Sequence, residues 1–311
     1  SDKTSDVFAM PHNTDGSYSL TFDGSDDYID LGDVIDPSGS FTFGGWYYIN
    51  EKTYTTLMEK IDGPDGSGNY YGYSLSVDND QSGGGDDGIT FSVNNGRPNP
   101  ADGQSWKAIS AATFGQWVHL VGVFSSSDSV RLFINGERKA GTATSLSAVT
   151  NTSSSLKFSV GSSSSWTLSG SMDEVAYWNE ALSSSEITSL YNSGVPLAAG
   201  SNSGNYTSSA NLKGYWRFNE NSGSTAYDIS GNGNHGTISG ATWSTDVPAS
   251  GPTEVSGNIT SNTTWSASSS PYNVTGDVGV PSGYTLTIEP DVTVNYLGDY
   301  KILVKGNIII N

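Results

Sequence analysis

The sequence has no cysteine, few basic residues and no long apolar run. The absence of cysteine excludes a thiol nucleophile. It does not indicate whether the protein works in an oxidising or a reducing compartment. A chain of 311 residues can bury a sizeable core, so stable folding does not require disulfides. No apolar stretch approaches membrane-spanning length, and we expect no membrane insertion. Residues 1–16 have no periodicity and no signal-peptide pattern, and we interpret them as an N-terminal extension.

Basic residues are scarce, with 13 Lys and Arg against 32 Asp and Glu and a net charge of −19. Such a negative field disfavours nucleic acid and anionic lipid as partners. It favours calcium, a hard cation that takes several oxygen ligands, although solubility alone explains the same charge. Low charge density (14%) with 38 glycines and 11% aromatics is typical of a secreted β protein. We therefore expect a secreted or cell-surface location.

Short segments of alternating polar and apolar residues dominate the first half of the chain. Residues 17–22 and 41–49 are examples, and glycine-rich turns separate such segments. The pair Asn135-Gly136 is a strong hairpin signal, because both residues tolerate positive φ. This pattern predicts an all-β fold, an antiparallel two-sheet jelly-roll sandwich.

One short helix is predicted after a strand at residues 170–179. Residues 183–186 (SSSE) form a capping box, and Ile187 and Leu190 follow at helical spacing. Gly194 closes the helix and the proline two residues later prevents its return.

A family resemblance rests on motifs that occur in order along residues 17–195. These motifs are YSLTFDG at 18–24, FTFGGW at 41–46, GQWVHL at 115–120, LFING at 132–136 and GSMDEV at 170–175. Together they resemble the laminin-G-like jelly rolls of the concanavalin A-like lectin and glucanase superfamily.

The resemblance implies a calcium site in which Asp23 and Asp173 meet, because their strands are neighbours in the family's fold. Carboxylate and backbone oxygens would there form a six- to eight-fold shell. In the alternative interpretation, Asp23 closes a turn before Gly24 and Asp173 is solvated. We take Asp23 and Asp173 as the expected metal ligands and calcium as the expected cofactor.

Composition changes after residue 195. Residues 196–211 are rich in Ser, Gly and Asn and predict a linker. Residues 212–248 look like the segment that normally opens a laminin-G-like domain. We interpret them as a circular permutation that completes the same sandwich, and the stump of a second domain is the alternative.

The segment 253–311 resembles the first coils of a right-handed parallel β-helix. A solenoid coil cannot bury its own apolar face, and about three coils are needed for stability. The sequence stops in mid-pattern, and we therefore expect a fragment of a longer protein.

Aromatic, amide and guanidinium side chains in two long loops suggest a sugar-binding surface. Sugar rings stack on exposed aromatic rings, and polar side chains bond the hydroxyls. The candidate ligand-binding residues are Trp106, Trp166, Tyr71, Asn94 and Arg97.

The sequence contains no recognisable arrangement of catalytic residues. A retaining glucanase needs two carboxylates about 5–5.5 Å apart. Asp173 and Glu174 are adjacent on a strand, and adjacent strand residues face apart. The three histidines lie far apart, and no Ser/His/Asp pattern occurs. We expect no catalytic residues and no enzyme within this sequence.

These observations predict a non-catalytic, calcium-supported carbohydrate-binding or adhesion module of a larger secreted or cell-surface bacterial protein. Its expected partner is a polysaccharide or glycoconjugate. One alternative is a structural spacer domain of an adhesin, which would contact proteins. The other is an accessory domain of a polysaccharide-degrading β-helix enzyme whose catalytic part lies outside this sequence.

Overall fold

The structure is a computed structural model of the chain. It describes residues 18–50, 54–63, 65–78, 88–98, 106–110, 114–126, 128–160, 166–248, 253–265, 271–290 and 292–311, with backbone alone at 78, 97–98 and 106–110. The predicted N-terminal extension, residues 1–16, lies outside these ranges. The chain divides into two compact units, Ser1–Tyr191 with Ala198–Thr245, and Asn192–Leu197 with Asp246–Asn311. Among the described residues, no helix is long and apolar enough to cross a membrane.

In the residues that the structure describes, the first unit consists of short strands and one α-helix. Its elements are β1 Ser19–Asp23, β2 Tyr28–Asp30, β3 Phe41–Ile49, β4 Thr55–Asp62, β5 Asn69–Asp78, β6 Gly88–Pro98, β7 Trp106–Ser110, β8 Trp117–Ser125, β9 Ser129–Ile134, β10 Glu137–Ala143, β11 Lys157–Phe158, β12 Ser169–Trp178, α1 Ser184–Tyr191, a 3-10 turn Ser209–Asn211, β13 Leu212–Trp216, β14 Thr225–Ala226, β15 Gly236–Ser239 and β16 Thr242–Ser244.

These strands form two antiparallel sheets. Sheet A has the order β10-β9-β8-β3-β12-β1-β16, and β13 also pairs with β12. Sheet B has the order β14-β15-β2-β11-β4-β5-β6-β7. This architecture confirms the predicted all-β fold, an antiparallel jelly-roll sandwich with one short helix.

The apolar core lies between the two sheets. Phe41 of β3 contacts Phe91 of β6 at a ring-centroid distance of 6.0 Å and stacks on Tyr177 of β12 at 5.6 Å. A Cβ at Gly45 would lie 2.9 Å from the Cα of Val175, so glycine is required where these strands approach closely. Alternate residues of each strand point into this core, so the residues between them point to the outer faces of the sheets.

Two local motifs form as the sequence predicts. At the start of α1, the amide of Ser183 donates to Oε2 of Glu186 at 3.0 Å, and the Glu186 amide donates to Oγ of Ser183 at 3.3 Å. This is the reciprocal capping box. Asn135 and Gly136 join β9 to β10 with φ values of 51° and 76°, as a tight hairpin turn requires.

Residues 198–245 lie against the same sandwich. Strand β13 pairs with β12, β15 pairs with β2, and β16 pairs with β1. Tyr206, within the segment predicted as a linker, is fully buried. The segment therefore packs on the sheet in the first unit.

The second unit pairs its strands in parallel. Its strands are β17 Thr253–Asn258, β18 Thr263–Trp265, β19 Tyr272–Val280, β20 Thr285–Ile288, β21 Val294–Tyr296, β22 Ile302–Val304 and β23 Asn307–Ile310, after a 3-10 turn at Asn192–Gly194. They form two sheets, β17-β19-β21 with β22 beside β19, and β18-β20-β23. Trp265 stacks on Tyr272 at 4.8 Å inside its core. Asn295 donates to Asn273, 22 residues earlier in the chain, at 3.1 Å.

Candidate functional site

Three carboxylates gather in the turn between β1 and β2. Oxygen atoms of Asp23, Asp26 and Asp27 lie within 4.8 Å of one another. We call these three residues the acidic loop. The amide of Asp23 donates to Oδ2 of Asp27 at 2.9 Å, and the Ser25 amide donates to Oδ1 of Asp23 at 2.8 Å. These bonds hold the turn so that the carboxylates converge.

Asp27 is the buried member of the acidic loop, with 6% of its surface exposed. Burial raises the pKa of Asp27, and the charges of Asp23 and Asp26 raise it further, while the Asp23 amide lowers it. A Cβ at Gly240 would lie 1.8 Å from Oδ1 of Asp27, so glycine there leaves room for the carboxylate. Of these three residues, only Asp23 was expected as a metal ligand, together with Asp173, although the sequence DGSDD at 23–27 already showed the other two carboxylates.

The predicted meeting of Asp23 and Asp173 needs correction. Asp23 pairs with Ser169, whereas Asp173 pairs with Trp46. Four residues along one strand correspond to about 13 Å. The strands are neighbours as expected, but their register keeps the two carboxylates apart.

Asp173 lies instead in a buried cluster where β12 changes its partner from β1 to β13. It is 2% exposed. Burial raises its pKa well above the usual range, and the negative charge of Glu174 raises it further. The Glu174 amide donates to Oδ1 of Asp173 at 2.8 Å, and Arg217 partly offsets the shift.

Glu174 occupies a β-bulge, at which the pairing of β12 with β3 shifts register. Its φ is 50°, so the alternation assumed from the sequence does not hold at this point. Nε of Arg217 donates to Oε1 of Glu174 at 2.7 Å, and the hydroxyl of Tyr215 donates to Oε2. The carboxylate is therefore engaged on both oxygens.

Four of the five candidate ligand-binding residues lie on the neighbouring strands β5, β6 and β7, namely Tyr71, Asn94, Arg97 and Trp106. The side chains of Arg97 and Trp106 lie outside the described part of the structure. The hydroxyl of Tyr71 donates to Asp65 at 3.0 Å. Trp166 packs against Tyr54 at a centroid distance of 4.3 Å. Asn94 lies on β6, buried, on the face of sheet B away from the core.

A line of polar side chains crosses this outer face of sheet B. Core residues such as Ile29, Phe158 and Phe91 alternate with them along the strands. Strand pairing places each polar residue opposite the next one, across β15, β2, β11, β4, β5 and β6. We call this line the polar row, and its members are Thr237, Asp30, Lys157, Glu59, Ser74 and Ser92.

The polar row has an open part and an enclosed part. Its first four residues are exposed or half-buried, whereas Ser74 and Ser92 are buried and hydrogen-bonded to each other at 2.9 Å. Nζ of Lys157 lies 3.9 Å from Oδ2 of Asp30 and 5.6 Å from the ring centroid of Tyr28. The sequence alone did not reveal this row, because only the register of six strands assembles it.

The sandwich that carries these features matches a laminin-G-type family model described as the concanavalin A-like lectin/glucanases superfamily, over residues 23–188. That span is more than half of the sequence. The chain belongs to the concanavalin A-like lectin/glucanase superfamily. No curated protein matches this chain.

Solved structures share the superfamily fold at low sequence identity. A proposed carbohydrate-binding protein from Bacteroides ovatus is 18% identical, with a TM-score of 0.55 over 75% of this chain and 61% of that one. The present chain thus spans less than two thirds of that protein. A heptameric SAP-like pentraxin from Limulus polyphemus is 12% identical, with a TM-score of 0.42 over 56% of this chain and 82% of that one. Domain 4 of an extracellular GH43 arabinanase from Geobacillus stearothermophilus, in complex with arabinotriose, is 18% identical, with a TM-score of 0.41 over 56% of this chain and 76% of that one.

Proposed function

We propose that this chain is a non-catalytic carbohydrate-binding module of a secreted or cell-surface protein, and that the polar row contacts the sugar. The observation that carries the proposal is the position of the row. It crosses six neighbouring strands on the face of sheet B away from the core. A polysaccharide laid across the strands would meet one polar side chain at each strand.

The chemistry of the open part suits a sugar. Lys157 donates hydrogen bonds, while Asp30 and Glu59 accept them. A sugar hydroxyl therefore finds a donor for its oxygen and an acceptor for its hydrogen. Tyr28, on the same face, offers an aromatic ring of the kind that sugar rings stack on. The Bacteroides ovatus protein of the same fold, described as a proposed carbohydrate-binding protein, supports this function by analogy.

The contacts of Asp173 and Glu174 support a non-catalytic role for these two residues. A glycosidase needs one carboxylate free to attack or to take up a proton. Glu174 instead holds Arg217 and Tyr215. Asp173 is enclosed beside it. We therefore assign this cluster to the fold rather than to chemistry.

Calcium is the metal that the superfamily resemblance implies, and the acidic loop is the set of residues that fits it. Asp23, Asp26 and Asp27 supply oxygen donors, which calcium prefers, and their mutual repulsion would be relieved by a cation. Bound calcium would supply positive charge and fix the turn between two strands. Asp23 remains in this proposal, and Asp26 and Asp27 replace Asp173.

The proposed function is tested by binding to an array of glycans. We expect Lys157→Ala to weaken binding of the best glycan at least tenfold. The matched control is Lys139→Ala, because Lys139 lies on the edge of sheet A and pairs with Glu137. Equal binding by the two variants would remove the polar row from the site. No glycan bound, together with a tight protein partner, would favour the spacer-domain alternative.

We also propose that the second unit begins a parallel β-helix. The parallel register supports this, because Val274 pairs with both Val255 and Tyr296 on successive strands. Large apolar side chains are exposed on β21, β22 and β23 and in the turn between β21 and β22, as expected of solenoid coils, which cannot bury their own apolar faces. These side chains are Tyr296, Leu297, Tyr300, Leu303, Val304, Ile308, Ile309 and Ile310.

Paired cysteines test the parallel register, since the chain has no cysteine of its own. Thr264 pairs with Thr287. The double variant Thr264→Cys/Thr287→Cys should form a disulfide on mild oxidation, because adjacent strands bring the Cα atoms into range. The control is Thr264→Cys/Thr285→Cys, which is two residues out of register. Equal cross-linking of both pairs would contradict the arrangement.

A further inference from the structure

A second line of side chains crosses the outer face of sheet A. Leu20, Tyr47 and Met172 point into the core, so the residues beside them in each strand point outward. Strand pairing places these outward residues opposite one another across β8, β3, β12, β1 and β16. We call this line the aromatic row, and its members are Trp117, Tyr48, Ser171, Thr21 and Thr242.

The aromatic row is partly open to solvent, whereas the neighbouring row on the same face is covered. Trp46 lies two residues before Tyr48 on β3, and Tyr191 of α1 stacks on its ring at a centroid distance of 5.8 Å. Trp46 is therefore only 4% exposed. Tyr48 and Trp117 are half-buried, and Thr242 is exposed. A molecule in solution can therefore touch these side chains in the folded protein.

The two rings of the aromatic row form an angled surface. The ring centroids of Tyr48 and Trp117 lie 5.9 Å apart, and the ring planes meet at 73°. In such an edge-to-face pair, one ring keeps both of its faces clear of the other ring. Because sugar rings stack on aromatic faces, this end of the row offers a place for one sugar ring.

Hydroxyl groups continue the row beside the rings. Oγ1 of Thr21 and Oγ of Ser171 are hydrogen-bonded to each other at 2.8 Å. That bond uses one proton and one lone pair, so the two hydroxyls keep a second proton and further lone pairs for a ligand. Thr242 adds a third hydroxyl on β16, opposite Thr21. A sugar hydroxyl, which donates and accepts, matches these groups.

We infer that the aromatic row is a second glycan site, which binds an uncharged oligosaccharide with one sugar ring stacked on Tyr48 or Trp117 and with hydroxyls bonded to Thr21. This inference goes beyond the proposed function, because the polar row lies on sheet B and the aromatic row lies on sheet A. The module would then hold two sugar chains at once.

Charge and spacing define the ligand further. No member of the aromatic row is charged, so none balances a carboxylate or an ammonium group of a ligand. The net charge of −19 also opposes an acidic polysaccharide. Trp117 on β8 and Thr21 on β1 are separated by three strand spacings, or about 14 Å. That distance is wider than a single sugar ring, so the ligand has several rings.

Sheet stabilisation is the rival role for the two rings, because aromatic pairs on neighbouring strands stabilise a sheet without any ligand. The two roles predict different results. If the rings only stabilise the sheet, Trp117→Ala lowers the melting temperature and leaves glycan binding unchanged. If they hold a sugar, Trp117→Ala loses binding, and so does Thr21→Val, which leaves both rings in place.

The test is affinity electrophoresis of the full chain carrying Lys157→Ala, so that the polar row no longer contributes. The gels contain neutral polysaccharides (arabinan, xylan, galactomannan or mixed-linkage β-glucan) or acidic ones (alginate or polygalacturonate). We expect a neutral polysaccharide to retard this protein. Adding Trp117→Ala should weaken the retardation about tenfold or more, and adding Thr21→Val should weaken it about threefold. The matched control is Tyr227→Ala, because Tyr227 is also half-buried and packs edge-to-face, against His235 at 5.3 Å.

Each other outcome separates the two proposals. Retardation of the Lys157→Ala protein that neither added substitution weakens would overturn the second site. If only the chain with native Lys157 is retarded, or if acidic polysaccharides alone retard the Lys157→Ala protein, the second site also fails and the proposed function stands. Absence of retardation of both proteins in every gel would overturn both proposals. Melting curves show that each variant is folded, and Thr21→Val, which keeps the shape of the side chain, decides the test if Trp117→Ala unfolds the protein.

Discussion

Nε1 of Trp178 donates a hydrogen bond to the hydroxyl of Tyr206 at 2.8 Å, and that hydroxyl donates to the carbonyl of Ala199 at 2.7 Å. Trp178 ends β12, whereas Tyr206 belongs to a Ser/Gly/Asn-rich segment whose composition predicts a linker. Both rings are buried. These two hydrogen bonds fasten Tyr206 and Ala199 to the end of β12.

Tyr206→Phe should destabilise the first unit. The substitution keeps the ring but leaves the Trp178 indole N–H and the Ala199 carbonyl unpartnered in an enclosed place. We expect a loss of about 1–3 kcal/mol in the free energy of unfolding. Urea denaturation followed by tryptophan fluorescence measures it. Tyr48→Phe is the control, because Tyr48 is only half-buried and sits on the same sheet. A loss no larger than that of the control would show that the two hydrogen bonds contribute nothing.

Calcium binding at the acidic loop should appear as metal-dependent stability. We expect the melting temperature of calcium-loaded protein to fall on adding EDTA, since an ion that binds only the folded state stabilises it. Asp26→Asn should abolish most of this difference. Asp26 is exposed, so its replacement should leave the EDTA-treated protein unchanged.

Asp62→Asn serves as the control for calcium, because Asp62 is exposed and lies at the end of β4, away from the acidic loop in sequence. An unchanged melting temperature in EDTA would contradict the calcium proposal. A calcium effect that survives in Asp26→Asn would move the site elsewhere.

Local motifs could be predicted from the sequence because both partners lie within a few residues. Ser183 and Glu186 form the capping box within one turn of chain. The Asn135-Gly136 turn likewise depends on the conformational freedom of two adjacent residues. The all-β class followed from alternation, which is also local.

The candidate sites could be predicted only in part, because they depend on the register of distant strands. Asp23 and Asp173 lie on neighbouring strands, as expected, yet Asp23 pairs with Ser169. The bulge at Glu174 shifts the register again, and no motif in the sequence marks it. The polar row is a similar case, since Lys157 meets Glu59 only through sheet pairing.

Asp173→Asn should stabilise the protein at neutral and alkaline pH. Burial and the neighbouring charge of Glu174 raise the pKa of Asp173 in the folded state. A raised carboxyl pKa contributes stability that is fully present below the unfolded value and is lost as pH rises through the folded value. The amide removes that loss, so the variant should gain stability relative to the native chain as pH rises.

Thermal unfolding of both proteins between pH 4 and pH 8 measures this difference, with Asp62→Asn as the exposed control. The gain should shrink toward acid pH. A variant that is less stable at pH 8 and has lost its response to calcium would restore Asp173 as a metal ligand.

His119→Phe should make the protein less sensitive to mild acid. The His119 ring packs against Trp46 at 5.2 Å and Tyr191 at 6.2 Å, and burial lowers its pKa to about 3. A depressed pKa contributes stability above the unfolded value of 6.5, and this is lost as pH falls, because the unfolded chain takes up the proton first. At pH 5 the loss is about 2 kcal/mol. Phenylalanine keeps the ring contacts and cannot be protonated. Urea unfolding at pH 7.5 and pH 5 should therefore show the native chain losing about 2 kcal/mol more than the variant, and equal losses would show that His119 is not protonated on unfolding.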